Sequence, residues 1–120
     1  MSATAYQRFL QGQGVVLPLP LTEGALQVAI RRAFLQYHWL FYHTYRSTRS
    51  APGYPDIVAV KPPRLLCVEL KSATGTVTPD QQTWLTALGQ VPGIEVYVWR
   101  PADLAEALTI IAGDTPLEDR

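Results

Sequence analysis

Two apolar runs, residues 57–60 and 65–70, carry the clearest pattern in the chain, and Lys61-Pro62-Pro63-Arg64 separates them. Proline has no amide hydrogen for a ladder, so the pair predicts a turn and the flanking runs an antiparallel hairpin. Centring the turn between the prolines sets Val60 opposite Leu65, Val58 opposite Cys67 and Asp56 opposite Glu69. Upstream, Thr22 is the N-cap of a helix from Glu23 to about His38, with Leu26, Ile30, Ala33, Phe34 and Tyr37 as its apolar stripe. Residues 39–46 are rich in aromatic and β-branched side chains and predict a strand. Phe41, His43 and Tyr45 fall on one of its faces, Leu40, Tyr42, Thr44 and Arg46 on the other, and either could point inward. Downstream, Thr78-Pro79-Asp80-Gln81 has the form of a capping box and opens a helix that ends near Gln90, before Pro92-Gly93. Residues 94–99 alternate as a strand, and Pro101 begins a last helix with Leu104, Ala105, Leu108 and Ile111 as its stripe. The order is αβββαβα, an α/β fold with helices covering a mixed sheet.

The hairpin register makes a chemical demand. Opposed residues of an antiparallel pair have Cβ atoms about 5 Å apart, and like charges so placed repel. Asp56 and Glu69 therefore require something positive between them. The period of two brings Lys71 to the same face, and hard oxygen ligands meeting at one point are also what Mg2+ or Mn2+ prefers. Glu69 stands among Leu65, Leu66, Val68 and Leu70, and a charged residue in such a run is seldom buried without a partner. Glu23 lies on the apolar stripe of the first helix, one turn before Leu26, where the helix dipole alone would favour a carboxylate. Gln81 is explained by the capping box, yet it shares a face with Trp84, Leu85 and Leu88. His38 and His43 are read as structural or phosphate-contacting rather than as ligands.

Pro55-Asp56 followed by Glu69-Leu70-Lys71 matches the signature of the PD-(D/E)XK nucleases. With Gly53-Tyr54-Pro55-Asp56-Ile57 before it and Thr78-Pro79-Asp80-Gln81, Trp84 and Leu85 after it, the chain resembles the virus-type replication-repair nuclease (VRR-NUC) domain over about residues 22–105. The resemblance implies a restriction-endonuclease-like core and a Mg2+- or Mn2+-dependent DNA endonuclease leaving a 5′-phosphate. Asp56, Glu69 and the Leu70 backbone carbonyl would hold the metal, with Glu23 reaching it through water. Lys71 would orient or deprotonate the attacking water, and Gln81 would lie beside the site. By the same analogy the substrate is branched DNA, a Holliday junction, flap or nick, and the protein a twofold homodimer acting in replication, repair or recombination; the alternatives are a non-catalytic DNA-binding module of nuclease fold and a sequence-specific restriction-type endonuclease. Trp39, Tyr42, Tyr97 and Trp99 are candidates for the dimer patch.

Net charge is zero, which argues against a nucleic-acid partner until its distribution is examined. Residues 1–71 hold eight Lys and Arg against three acids, a net +5, and residues 72–120 hold two against seven, a net −5. The three acids of the first part are those assigned to the metal, leaving Arg31, Arg32, Arg46, Arg49, Lys61 and Arg64 to attract phosphates. The loop of residues 47–53 leads into the hairpin, so Arg46, Ser47, Arg49 and Ser50 are expected to meet the DNA backbone, together with Tyr54 and Ser72. One cysteine, Cys67, excludes an internal disulfide and fits a reducing cytoplasm, as of a bacterial or phage-infected cell. No run reaches the roughly 20 apolar residues of a membrane span, and no organic cofactor is expected. A length of 120 residues suits one domain: residues 22–112, preceded by a loose arm over 1–21 and followed by a polar tail over 113–120.

Overall fold

The computed structural model describes residues 22–44 and 51–113. In chain order these form α1 (Glu23–Gln36), β1 (Leu40–His43), β2 (Ile57–Lys61), β3 (Arg64–Leu70), α2 (Pro79–Gly89), β4 (Ile94–Trp99) and α3 (Leu104–Ala112). The order αβββαβα is the one the sequence predicts. The strands make one mixed sheet in the order β1-β2-β3-β4, antiparallel except that β4 runs parallel to β3. This arrangement is compatible with a restriction-endonuclease-like fold. No helix among the described residues is long and apolar enough to cross a membrane.

Two faces of the sheet have different coverings. Ile57, Ala59, Leu66, Val68 and Leu70 point to one side, where Leu26, Ile30 and Phe34 of α1 and Leu104, Leu108 and Ile111 of α3 join them in a single buried core. Residues of the other parity, Val58, Cys67 and Glu69 among them, face α2, which packs on β4. The hairpin register is as expected: Val60 pairs with Leu65 and Val58 with Cys67, across a Pro62–Pro63 bond that is cis.

Thr22 caps α1, its Oγ1 accepting from the Ala25 amide at 3.0 Å. The other end closes two residues before His38, in a Schellman turn: Trp39 N–H donates to the Phe34 carbonyl (2.9 Å) and His38 N–H to that of Leu35 (3.2 Å). His38 takes φ +66°, the left-handed conformation usually given to glycine. The turn brings the Trp39 ring edge-on to Phe34, centroids 5.4 Å apart, so hydrophobic contact holds the chain where backbone preference does not.

In three places the packing departs from the sequence reading. Among the described residues β1 covers Leu40–His43, with residues 45 and 46 lying outside them; Phe41 packs on the main core, while Leu40 and Tyr42 stay exposed on the α2 side, which resolves the ambiguous face. Pro101–Asp103 form a 3-10 turn before α3, whose buried stripe is Leu104, Ala107, Leu108 and Ile111. Ala105 is exposed, because one residue past Leu104 turns it about 100° from the stripe. Trp39 and Trp99 are buried in the core, which removes them from any dimer patch.

The proposed basic set is also divided. Arg64 grips Glu95 with two hydrogen bonds of 2.7 Å, donates to the Ile110 carbonyl at 2.9 Å and lies over the Trp39 ring. Lys61 Nζ donates to the Tyr37 carbonyl at 2.7 Å, closing the end of α1. These two cations serve the fold, while Arg31 and Arg32 are exposed on the helix covering the other sheet face. Arg64→Ala is expected to lower stability by about 2 kcal/mol in chemical denaturation, since it removes a charge-assisted pair with Glu95 and one of two donors to the Ile110 carbonyl, the other being the Gly113 amide. Arg64→Lys should recover only part, because an ammonium cannot present the same fork.

Candidate active site

Asp56 directly precedes β2, and Glu69 is the sixth residue of β3, so the hairpin ladder carries both carboxylates to the same face of the sheet. The backbone fixes Asp56 on both sides. Its carbonyl accepts from the Thr44 amide (2.8 Å), and its Oδ2 accepts from the Leu70 amide (2.9 Å). That second bond ties the acid of one strand to the peptide following the acid of the other. Glu69 is only 2% exposed.

Lys71 arrives as the strand period requires, its Nζ 3.6 Å from Glu69 Oε2, with both side chains largely buried. Gln81 completes the group. Its Oε1 accepts from the Thr78 amide (2.9 Å) as one half of a capping box, while its Nε2 donates to Glu69 Oε2 (2.8 Å). One amide thus starts a helix and holds a buried carboxylate. Burial, then the neighbouring negative charge and hydrogen bond of Asp56, push the Glu69 carboxyl up to about 7, against an opposing pull from Lys71.

The approach to Asp56 is docked on α2. Gly53 adopts φ +89°, and a Cβ there would lie 2.4 Å from the Asp80 carbonyl carbon and 2.7 Å from the Gln81 nitrogen. Only glycine allows that contact. Trp84 Nε1 donates to the Pro52 carbonyl (3.2 Å), and the Trp84 ring meets Tyr54 edge-on at 5.0 Å. The loop bearing Asp56 and the helix bearing Gln81 are therefore one packed unit. After Lys71, the Ser72 hydroxyl accepts from the Gly75 amide (2.8 Å), and Arg100 donates to the carbonyls of Ser72 and Gly75. Ser72 shapes this turn beside the site.

The structure thus brings together Asp56, Glu69, Lys71 and Gln81, with Leu70 at their centre and Tyr54 and Ser72 at the rim. Glu23 is exposed in the first turn of α1, and no hydrogen bond or ion pair joins it to the acids, so any role at the site would run through water. Among the described residues no group of three or more His, Cys, Asp and Glu could hold a metal ion. Arg46, Ser47, Arg49 and Ser50 lie outside the described residues. Sequence reasoning missed the Gly53 contact, for which the Pro52-Gly53 pair was the available signal. It also missed Arg100, which no local pattern marks because its partners are more than twenty residues away.

Do these residues suit a divalent cation? Glu69 Oε1 is buried with no hydrogen-bond partner, an arrangement that is costly unless something positive approaches it. Mg2+ keeps much of its water and takes one or two carboxylates together with substrate phosphates, so two acids are enough. The residues fit the ion.

A mixed sheet with two carboxylates and a lysine gathered on adjacent strand ends defines a PD-(D/E)XK-like nuclease domain. The family model of the nuclease-related domain (NERD) matches residues 22–106, and the chain belongs to that family. No curated protein and no solved structure matches it.

Raising the Glu69 carboxyl from 4.5 to about 7 has a definite sign. Between those values the folded chain keeps a proton that the unfolded chain has released, so stability falls as pH rises and levels off above about 7. Without divalent ions, the melting temperature is expected to be lower at pH 8 than at pH 5, with Glu69→Gln losing most of that difference. An ion held by these acids in the folded chain would raise it at pH 8, which adding Mg2+ tests.

Proposed function

We propose that this chain is a Mg2+- or Mn2+-dependent DNA endonuclease that hydrolyses phosphodiester bonds in branched DNA such as a Holliday junction or flap. The observation that carries the reading is the buried Glu69, set beside Asp56 and Lys71 with one carboxylate oxygen unpartnered. Membership in a nuclease-related family supports the chemistry. The order of Gly53 to Ile57, Glu69 to Lys71 and Thr78 to Leu85 supports reading it alongside the VRR-NUC enzymes. A twofold homodimer would offer one site to each of two junction strands.

Asp56 and Glu69 would hold the ion, with the Leu70 carbonyl as a further oxygen. When bound, the ion supplies an acidic water, a counter-charge for the phosphate and support for the leaving oxygen. The chain's own residues set the rest. The Leu70 amide holds the Asp56 carboxylate, and Gln81 holds one oxygen of Glu69, leaving the other free. Lys71 orients the attacking water and offsets phosphate charge. The water oxygen bonds to phosphorus as the bond to the 3′ oxygen breaks; that oxygen takes a proton, leaving a 3′-hydroxyl and a 5′-phosphate.

Purified protein incubated with flap, junction, nicked and linear DNAs should cut the branched substrates in Mg2+ or Mn2+ and fall silent with a chelator. Asp56→Ala and Glu69→Ala should abolish cutting, and Lys71→Ala should reduce it by about 100-fold or more, while circular dichroism shows the fold intact. Cutting that persists with a chelator, or in Asp56→Ala, overturns the reading. Gln81→Glu preserves the capping box but sets a carboxylate against Glu69. Without divalent ions it should lower the melting temperature by several degrees, because a third carboxylate joins a buried acid pair, and Mg2+ should restore most of that loss.

A further inference from the structure

We propose that the exposed rings of Tyr54 and Tyr42, at the rim of the acid pair, form a stacking platform for an unpaired nucleobase, so that the site favours strands whose bases are free. The inference rests on the nuclease reading and specifies the substrate it takes.

Position comes first. Tyr54 is two residues before Asp56, and Tyr42 pairs across β1 and β2 with Val58, two residues after it. Both tyrosines therefore lie next to the acids, on the α2 side of the sheet. Their exposures are 38% and 63%, and Leu40, on the same side of the edge strand, is 74% exposed. The Tyr54 hydroxyl is pushed up by burial and by the nearby Cys67 and Tyr42, which agrees with the two rings being neighbours.

The Tyr54 ring is also rigid. It meets Trp84 at 84°, Trp84 is tied to the Pro52 carbonyl, and Gly53 is pressed against α2. An aromatic held this way stacks a base with little loss of conformational freedom. A duplex keeps the faces of its bases stacked on one another, so a ring held at this rim can take a base only from a strand whose bases are unpaired.

The test needs no catalysis. Binding of Asp56→Asn protein to a short thymidine strand, to an abasic strand of equal length and charge, and to a duplex is followed by fluorescence anisotropy in chelator. The thymidine strand should bind about 10-fold or more tighter than the abasic one, the scale of one stacked base. In the same background Tyr54→Ala and Tyr42→Ala should bring that ratio close to one, and Tyr54→Phe should keep it. A ratio near one without those substitutions, or unchanged in both alanine variants, overturns the platform. So does loss of a dimer in Tyr42→Ala on size exclusion, which would make the ring a contact between copies. If the ratio holds but no DNA is cut with Mg2+ or Mn2+, the nuclease reading fails and the platform stands. If branched DNA is cut while the ratio is near one, the platform alone fails.

Discussion

The burial of Glu69 beside Asp56 is the constraint around which the domain is arranged. A carboxylate 2% exposed and facing a second acid is stable only if its charge is suppressed or matched. Three neighbours share that task. Lys71 approaches from the same strand, Gln81 donates from α2, and the Leu70 amide binds the opposing acid. They satisfy one oxygen of Glu69 and leave the other open. In a purely structural cluster that opening would be a defect. In a domain of nuclease-related type it is a reason to expect a cation.

Holding such a group together requires a rigid frame, and most of the remaining structure supplies it. The main core clamps α1 and α3 to one sheet face through Phe34, Ile30, Leu66 and Leu108, so β3 cannot shift its register without exposing a row of buried side chains. A slip of one residue would turn Glu69 into that core and Leu70 toward the acid pair. On the other face α2 does double duty. It covers part of the sheet, and its first turn accepts the Pro52–Tyr54 loop so closely that Gly53 has no room for a Cβ. The same turn that starts the helix therefore locates both Asp56 and the partner of Glu69.

This economy separates the cations as well. Arg64 and Lys61 stand at the tip of the hairpin, where they close the ends of α3 and α1. The described part of the site itself holds one lysine, two acids and the Gln81 amide, with tyrosine at its margin.

The local half of this description was legible in the residues. The proline pair and the alternation around it determined the hairpin and its register, hence the facing of Asp56, Glu69 and Lys71. Thr22 and the Thr78 to Gln81 box determined where two helices begin, since caps depend on residues three apart. Packing between distant segments decided the rest. Whether Gln81 serves a cap or a carboxylate depends on where α2 sits against β3, and the answer is both. Glu23 lies in line with an apolar stripe, yet it starts the helix and stays exposed to water. Arg64 and Lys61 look like free charge in a linear count, because a count cannot contain the helix-end carbonyls and the Glu95 that folding brings to them. Spacing along a strand or a helical turn is set by short-range sterics and is written in neighbouring residues; which element covers which face is a balance over the whole core, and only the folded chain expresses it.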